Sequence, residues 1–275
     1  MAQRPPDLPD FKTPPVTEVV LGVQFNSIQG FLAPHLGLIW ERFKRDFPHL
    51  EEHPLLPQFF ETFGTGFQPQ MHHVEFFGPS WMPRVFFINE DRTQLLQVQR
   101  DRFLHNWRKI GMGDAYPRFE KMIETFGGAY AQLESVLVGL GLGRILPNQC
   151  EVTYINQIEV ALGQTPAALL GSLFGQFWSN VSKERLGEPE DANIQIRYII
   201  RHEDTPVGRV SVQALPARRA DGAEIVQMTF TARGLPLGTD FAGVKAFLEL
   251  GRGCIVHAFT ELTSPEMHKS WERVQ

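Results

Sequence analysis

The chain has 275 residues, 43% of them hydrophobic and 21% charged. That composition excludes disorder over most of the length, and a core of this size buries roughly three quarters of the unfolded surface without disulfide or metal support. The net charge of −5 divides as −2 and −3 on either side of Ile145, so neither half is a basic nucleic-acid module.

Two cysteines, Cys150 and Cys254, stand 104 positions apart and suit a reducing cytoplasm. The start, Met1-Ala2-Gln3-Arg4-Pro5-Pro6-Asp7, offers no apolar core for a signal peptide, and no apolar run approaches the ~18 residues of a membrane span. The expectation is a cytoplasmic protein without a membrane partner.

Residues 1–15 carry Pro5, Pro6, Pro9, Pro14 and Pro15 and read as an extended Pro-rich tail. A strand over 17–28 follows, with Val19, Leu21, Val23 and Phe25 on one face. Leu36, Ile39, Trp40, Phe43 and Phe47 predict a helix over 33–47 that Pro48 ends. The span 51–82 reads as mostly loop, with a strand at 74–77. Residues 85–88, a polar turn at 89–92 and one long strand over 94–107 form a hairpin. A helix over 116–138 follows, its apolar face running from Phe119 to Leu137.

The order then starts again: a strand over 151–160 and a helix over 166–178 that Pro166 begins. A meander of 195–202, 209–214 and 224–233 follows, then a helix over 241–259 capped by Asp240 and a short helix opened by Ser264-Pro265. Residues 17–25 align with 150–158 at an offset of 133, with Glu18/Glu151, Val19/Val152 and Gln24/Gln157 identical. The predicted fold is α+β: two pseudo-repeats, 16–146 and 147–275, each a strand, helix, antiparallel meander and long helix, with helices on one face.

The segment 94–107 carries the main functional signal. Read as one strand, it places Arg100, Arg102, Asn106 and Arg108 on one face, and Gln99, Asp101 and His105 on the other. Neither face is a clean apolar row, so polar groups point inward and need partners. Two readings stand. Arg100, Arg102, Asn106 and Arg108 grip an anion or a partner's carboxylate, or the arginines pair internally with Glu18, Asp101 or Glu151. Gln99 and Asn156 belong to the same supporting polar network.

Three segments resemble a bacterial protein family of unknown function, patchily distributed among genomes. They are Pro14-Pro15-Val16-Thr17-Glu18-Val19-Val20, then 97–108 (Gln-Val-Gln-Arg-Asp-Arg-Phe-Leu-His-Asn-Trp-Arg) with Tyr116-Pro117-Arg118, and 150–156. The resemblance covers nearly the whole chain. It brings no assigned activity and therefore no catalytic residue, and its patchy distribution implies an accessory of a mobile or defence-type gene cassette.

Other motifs subtract functions. His49 and His53 are separated by four positions but flanked by Pro48 and Pro54, His72-His73 cannot share a strand face, and neither cysteine has a Cys-x-x-Cys neighbour, so neither metal nor cofactor is expected. The glycines of 139–143 follow a helix and read as its C-terminus, not as a phosphate loop. No Gly-x-Ser-x-Gly elbow occurs, and Cys254 with His257 on one helix fits a Cys–His contact or a buried thiol. Against 22 Phe there are 4 Tyr, which favours core packing over base stacking, although Arg100, Arg102, Arg108 and Lys109 make a local basic patch.

The sequence therefore points to a non-enzymatic binding or interaction protein that uses the cleft between its halves, with an unknown protein or small anionic ligand as partner and a homo-oligomer left open. The alternative is an enzyme with Glu18, Glu151 or His105 as acid or base. A third reading has the Phe-rich loop 55–67 docking on a partner.

Overall fold

Alternation along the strands decides the architecture. In the computed structural model, which describes residues 4–64, 82–111, 113–175, 187 and 189–274, β1 (Val16–Phe25) turns Val19, Leu21, Val23 and Phe25 into the core, each at most 1% exposed. Glu18, Val20, Gly22 and Gln24 take the opposite face, as a period of two requires.

Strand β2 (His49–His53) lies at the edge and puts no residue in the core. The same division holds across β3 (Arg84–Ile88), β4 (Gln94–Gln99), β5 (Arg102–Arg108), β6 (Pro147–Glu159), β7 (Ile194–His202), β8 (Thr205–Arg218) and β9 (Glu224–Gly234). Among the described residues these nine strands make one antiparallel sheet in the order β2-β3-β4-β5-β1-β6-β9-β8-β7. The two meanders are thus joined edge to edge through β1 and β6, which pair Val20 with Thr153 and Gly22 with Glu151.

Helices α1 (Ala33–Phe43), α2 (Phe119–Gly139), α3 (Pro166–Leu173) and α4 (Phe241–Leu262) bury their apolar stripes against one face. Phe126 of α2 stacks on Phe103, and Phe230 of β9 meets Phe259 of α4 edge-on at 5.6 Å. The final helix, α5 (Pro265–Ser270), is capped by the Ser264 hydroxyl, which accepts from the Met267 amide. The expected α+β class holds.

Several boundaries move for physical reasons. Helix α2 begins three residues later than expected, because Pro117 disfavours helical backbone at Tyr116 and Arg118 is left-handed at φ 69°. It ends as expected in a glycine cap: Gly141 has φ 73°, and the Leu142 amide donates back to the Leu137 carbonyl at 2.9 Å. The span expected to be loop from 51 onward starts inside β2, while the strand expected at 74–77 and the end of the helix expected over 166–178 lie outside the described residues. Residues 4–15 are pinned, with Leu8 and Phe11 each 5% exposed and Phe11 edge-on to Phe259.

The main correction concerns 94–107. It is a hairpin of β4 and β5 around Arg100-Asp101, with Gln99 opposite Arg102. No glycine, asparagine or proline marks the turn. It is fixed by long-range bonds instead: the Phe25 amide donates to the Asp101 carbonyl at 2.9 Å and the Ile28 amide to the Arg100 carbonyl at 3.0 Å.

Phe247 of α4 packs onto the sheet where Gly208 faces Gly234. A Cβ on Gly208 would lie 2.6 Å from the Arg233 carbonyl oxygen and 2.9 Å from Phe247 Cε2. Gly208→Ala is expected to lower stability by about 1–3 kcal/mol through overpacking, measured as the urea midpoint against wild type.

Candidate functional site

The face turned away from the helices is unusually polar for a buried sheet surface. The hairpin correction realigns it, because a two-residue turn puts Gln99 and Arg102 side by side. Pairing of Arg102 with Gln24 and of Gln24 with Gln149 extends that row across β4, β5, β1 and β6. One pair further along the strands, Gly22, Glu151, Arg233 and Arg209 form a second row over β1, β6, β9 and β8. Gln24, Gln99 and Gln149 are each at most 4% exposed, so their amides must find partners within the protein.

Gln24 and Gln99 find them, and Gln149 in part, in the chain's own segment 54–63, which crosses the strands. The Leu56 amide donates to Gln99 Oε1 at 3.1 Å, and Gln99 Nε2 donates to the Leu56 carbonyl at 3.0 Å. Gln24 grips Phe59 in the same two-handed way, at 2.8 and 3.1 Å. Arg102 Nη2 donates to the Pro57 carbonyl at 2.9 Å and to Gln24 Oε1 at 2.7 Å. The Glu61 amide reaches Gln149 Oε1 at 3.4 Å.

An extended chain advances about 3.3 Å per residue and strands lie about 4.8 Å apart, so a crossing strap meets a new strand every one to two residues. A glutamine amide carries the same donor and acceptor as a peptide unit, and the row therefore replaces the ladder that this segment lacks.

The far end of the strap is held by charge. Arg209 forms an ion pair with Glu61 and donates to the Thr62 carbonyl at 2.6 Å, while its guanidinium sits 4.8 Å from the Phe63 ring centroid. Arg233, anchored on Glu151 through Nε at 2.7 Å, lies 4.4 Å over the Phe59 ring. A cavity of about 10 Å³ lies beneath Phe59, at the lower limit of what one water molecule needs.

The residues picked out by the sequence fall into three groups. Arg102 and Gln99 belong to the strap row. Asn106 instead joins a chain in which Arg84 donates to Gln97 at 2.6 Å, Gln97 to Asn106 at 2.9 Å, and Asn106 to Glu18 at 2.6 Å. Arg108 donates to the Arg92 carbonyl at 2.8 Å.

Arg100 stands in the turn, off the strap row, and Asp101 accepts from Gln99 at 2.6 Å. Asn156 points to the helix face and donates to the Met228 carbonyl at 3.3 Å. The predicted pairing of arginines with Glu18 or Asp101 is replaced by amide bonds, and Glu151 pairs with Arg233. Arg102 is lowered from its ordinary value by burial, with Glu151 opposing, but guanidinium stays cationic in proteins.

The three acid–base candidates do not converge. Glu18 and Glu151 are hydrogen-bonded on the strap face, while His105 lies under α2 on the other, its Nε2 3.1 Å from Gln94. Burial pushes both cysteine thiols up, against thiolate formation. Among the described residues, no three His, Cys, Asp or Glu side chains gather as a metal ion requires.

The Phe-rich loop expected to dock on a partner lies, through Leu56, Phe59 and Phe63, on its own sheet; Phe67 is outside the described residues. Sequence reasoning missed Gln24, Gln149, Arg209 and Arg233 as strap contacts. The usable signal was the pairing of buried-strand glutamines with a segment that Pro54 and Pro57 keep from forming a helix. Comparison with protein-family models and with curated proteins finds no match to this chain.

Burial lowers the His105 pKa from 6.5 to about 4. Between those values the unfolded chain binds a proton that the native state refuses, so stability is whole above pH 6.5 and falls as pH drops toward 4. The total from this group is roughly 3 kcal/mol. His268, lowered by the same cause, acts in the same direction. Urea unfolding at pH 4.5, 5.5, 6.5 and 7.5 is expected to give a shallower pH slope for His105→Gln than for wild type.

Proposed function

We propose that this protein is a non-enzymatic binding module whose polar sheet face holds an extended polypeptide segment. The strap carries the reading. Gln99 and Gln24 each bond both backbone groups of one residue, at 2.8–3.1 Å. Recognition is therefore of extended backbone, and side-chain selectivity comes from Arg233 and Arg209, which suit an aromatic residue followed two positions later by an acidic one, as in Phe59 and Glu61. A partner with that pattern takes the place of the strap, which competes as a tethered ligand at a millimolar-scale effective concentration.

The seat spans the joint between the halves. Their derivation from a duplication is part of this reading, supported by strand order: in each half the opening strand pairs with the last strand of its meander. The offset of 133 also makes Val20 and Thr153 equivalent, and these two residues pair with each other in the β1–β6 ladder, as a local two-fold axis requires. The unpaired Cys150 and Cys254 support a cytoplasmic setting.

The test releases the strap with the double substitution Phe59→Ala and Glu61→Ala and adds a fluorescent peptide of residues 54–63 in trans. The released protein is expected to bind it at least tenfold more tightly than wild type, and adding Gln24→Ala or Gln99→Ala to weaken that binding about tenfold, in line with an unsatisfied buried partner. A released protein that keeps its circular dichroism and binds no peptide overturns the proposal.

A further inference from the structure

On the helix side of the same joint, between β1, β6, α4 and the N-terminal segment, lies a second cavity of about 70 Å³. Its polar groups leave an unbalanced account. Arg252 of α4, 4% exposed, donates through Nη2 to Glu120 of α2 at 3.0 Å. Arg118 donates to Asp10 at 2.9 Å, and Arg4 lies 3.4 Å from the same carboxylate. Three guanidinium groups thus face two carboxylates, a surplus of one positive charge.

The donors are in surplus as well. Arg252 Nε and Arg4 Nε are buried and lack a partner among the described residues. The hydroxyls of Tyr116 and Tyr154 are 3.0 Å apart. One donates to the other, which leaves one O–H unused. Burial raises both phenols, so they stay protonated. These N–H and O–H groups line the cavity together with the buried Asn156 amide, and Val16, Ile255 and Phe259 are among its apolar walls. Leaving guanidinium N–H groups buried and unbonded is expensive, and an acceptor-only group with one negative charge satisfies donors and charge together.

We propose that this cavity binds a short aliphatic monocarboxylate. The cavity is several times the roughly 10–15 Å³ that a single water needs, so it admits a small anion: a carboxylate against the arginines and tyrosines, with one or two carbons against the apolar wall. The N-terminal segment, through Arg4, Asp10 and Phe11, closes the site. The site lies on the opposite face of the sheet from the strap and stands or falls independently of it.

The experiment titrates the full chain with sodium formate, acetate and propionate against sodium chloride at matched ionic strength. Thermal midpoint and saturation-transfer NMR of the ligand protons are read together. A saturable rise in midpoint with at least one carboxylate and none with chloride is expected. Arg4→Ala, which removes a donor from the rim, and the double substitution Tyr116→Phe with Tyr154→Phe, which removes both hydroxyls from retained rings, are each expected to weaken binding about tenfold.

The absence of a saturable effect from all three carboxylates overturns the proposal and assigns the cavity to water. A saturable effect that survives undiminished in both variants overturns it as well, since binding then lies elsewhere.

Discussion

A buried amide side chain must satisfy a donor and an acceptor at once, and the open face of this sheet is built around that demand. Gln24, Gln99 and Gln149 come from three different strands, and the β4–β5 turn and the β1–β6 pairing bring them into one row with Arg102. An apolar sheet face takes any apolar cover, whereas this row takes only a cover that presents backbone N–H and C=O groups at the strand spacing. The strap meets that condition without being a strand. Among the described residues, Gln149 Nε2 has no hydrogen-bond partner.

Much of the layer architecture was legible in the sequence because it follows from period alone. Val19, Leu21, Val23 and Phe25 alternate, and the apolar stripe of α2 recurs at helical spacing, so both core faces follow without tertiary information. The Arg100-Asp101 turn was not legible. It lacks glycine, asparagine and proline and is held by the amides of Phe25 and Ile28, more than 70 residues upstream. Missing it shifted the parity of everything after residue 100, which put Arg102 and Asn106 on the face opposite Gln99 when all three share one.

The candidate site suffered from a second ambiguity. Polar residues at alternate strand positions normally mean a solvated face, and nothing local distinguishes Gln24 exposed to water from Gln24 gripping Phe59. The covering segment lies 35 positions away. Charge is more conspicuous than amide in a sequence: the arginines of 100–108 cluster, whereas Arg209 and Arg233 stand apart and are brought together only by the β8–β9 register. The N-terminal prolines likewise concealed that Leu8 and Phe11 are buried.

The central claim is that side-chain amides hold the backbone of the strap, and amide hydrogen exchange at Leu56 and Phe59 reads it directly. In wild type both amides are expected to exchange far more slowly than an unstructured segment would. Gln99→Ala should release Leu56 and Gln24→Ala should release Phe59, while the β1–β6 ladder keeps its protection. Exchange of Leu56 and Phe59 at unprotected rates in the wild-type protein would contradict the account.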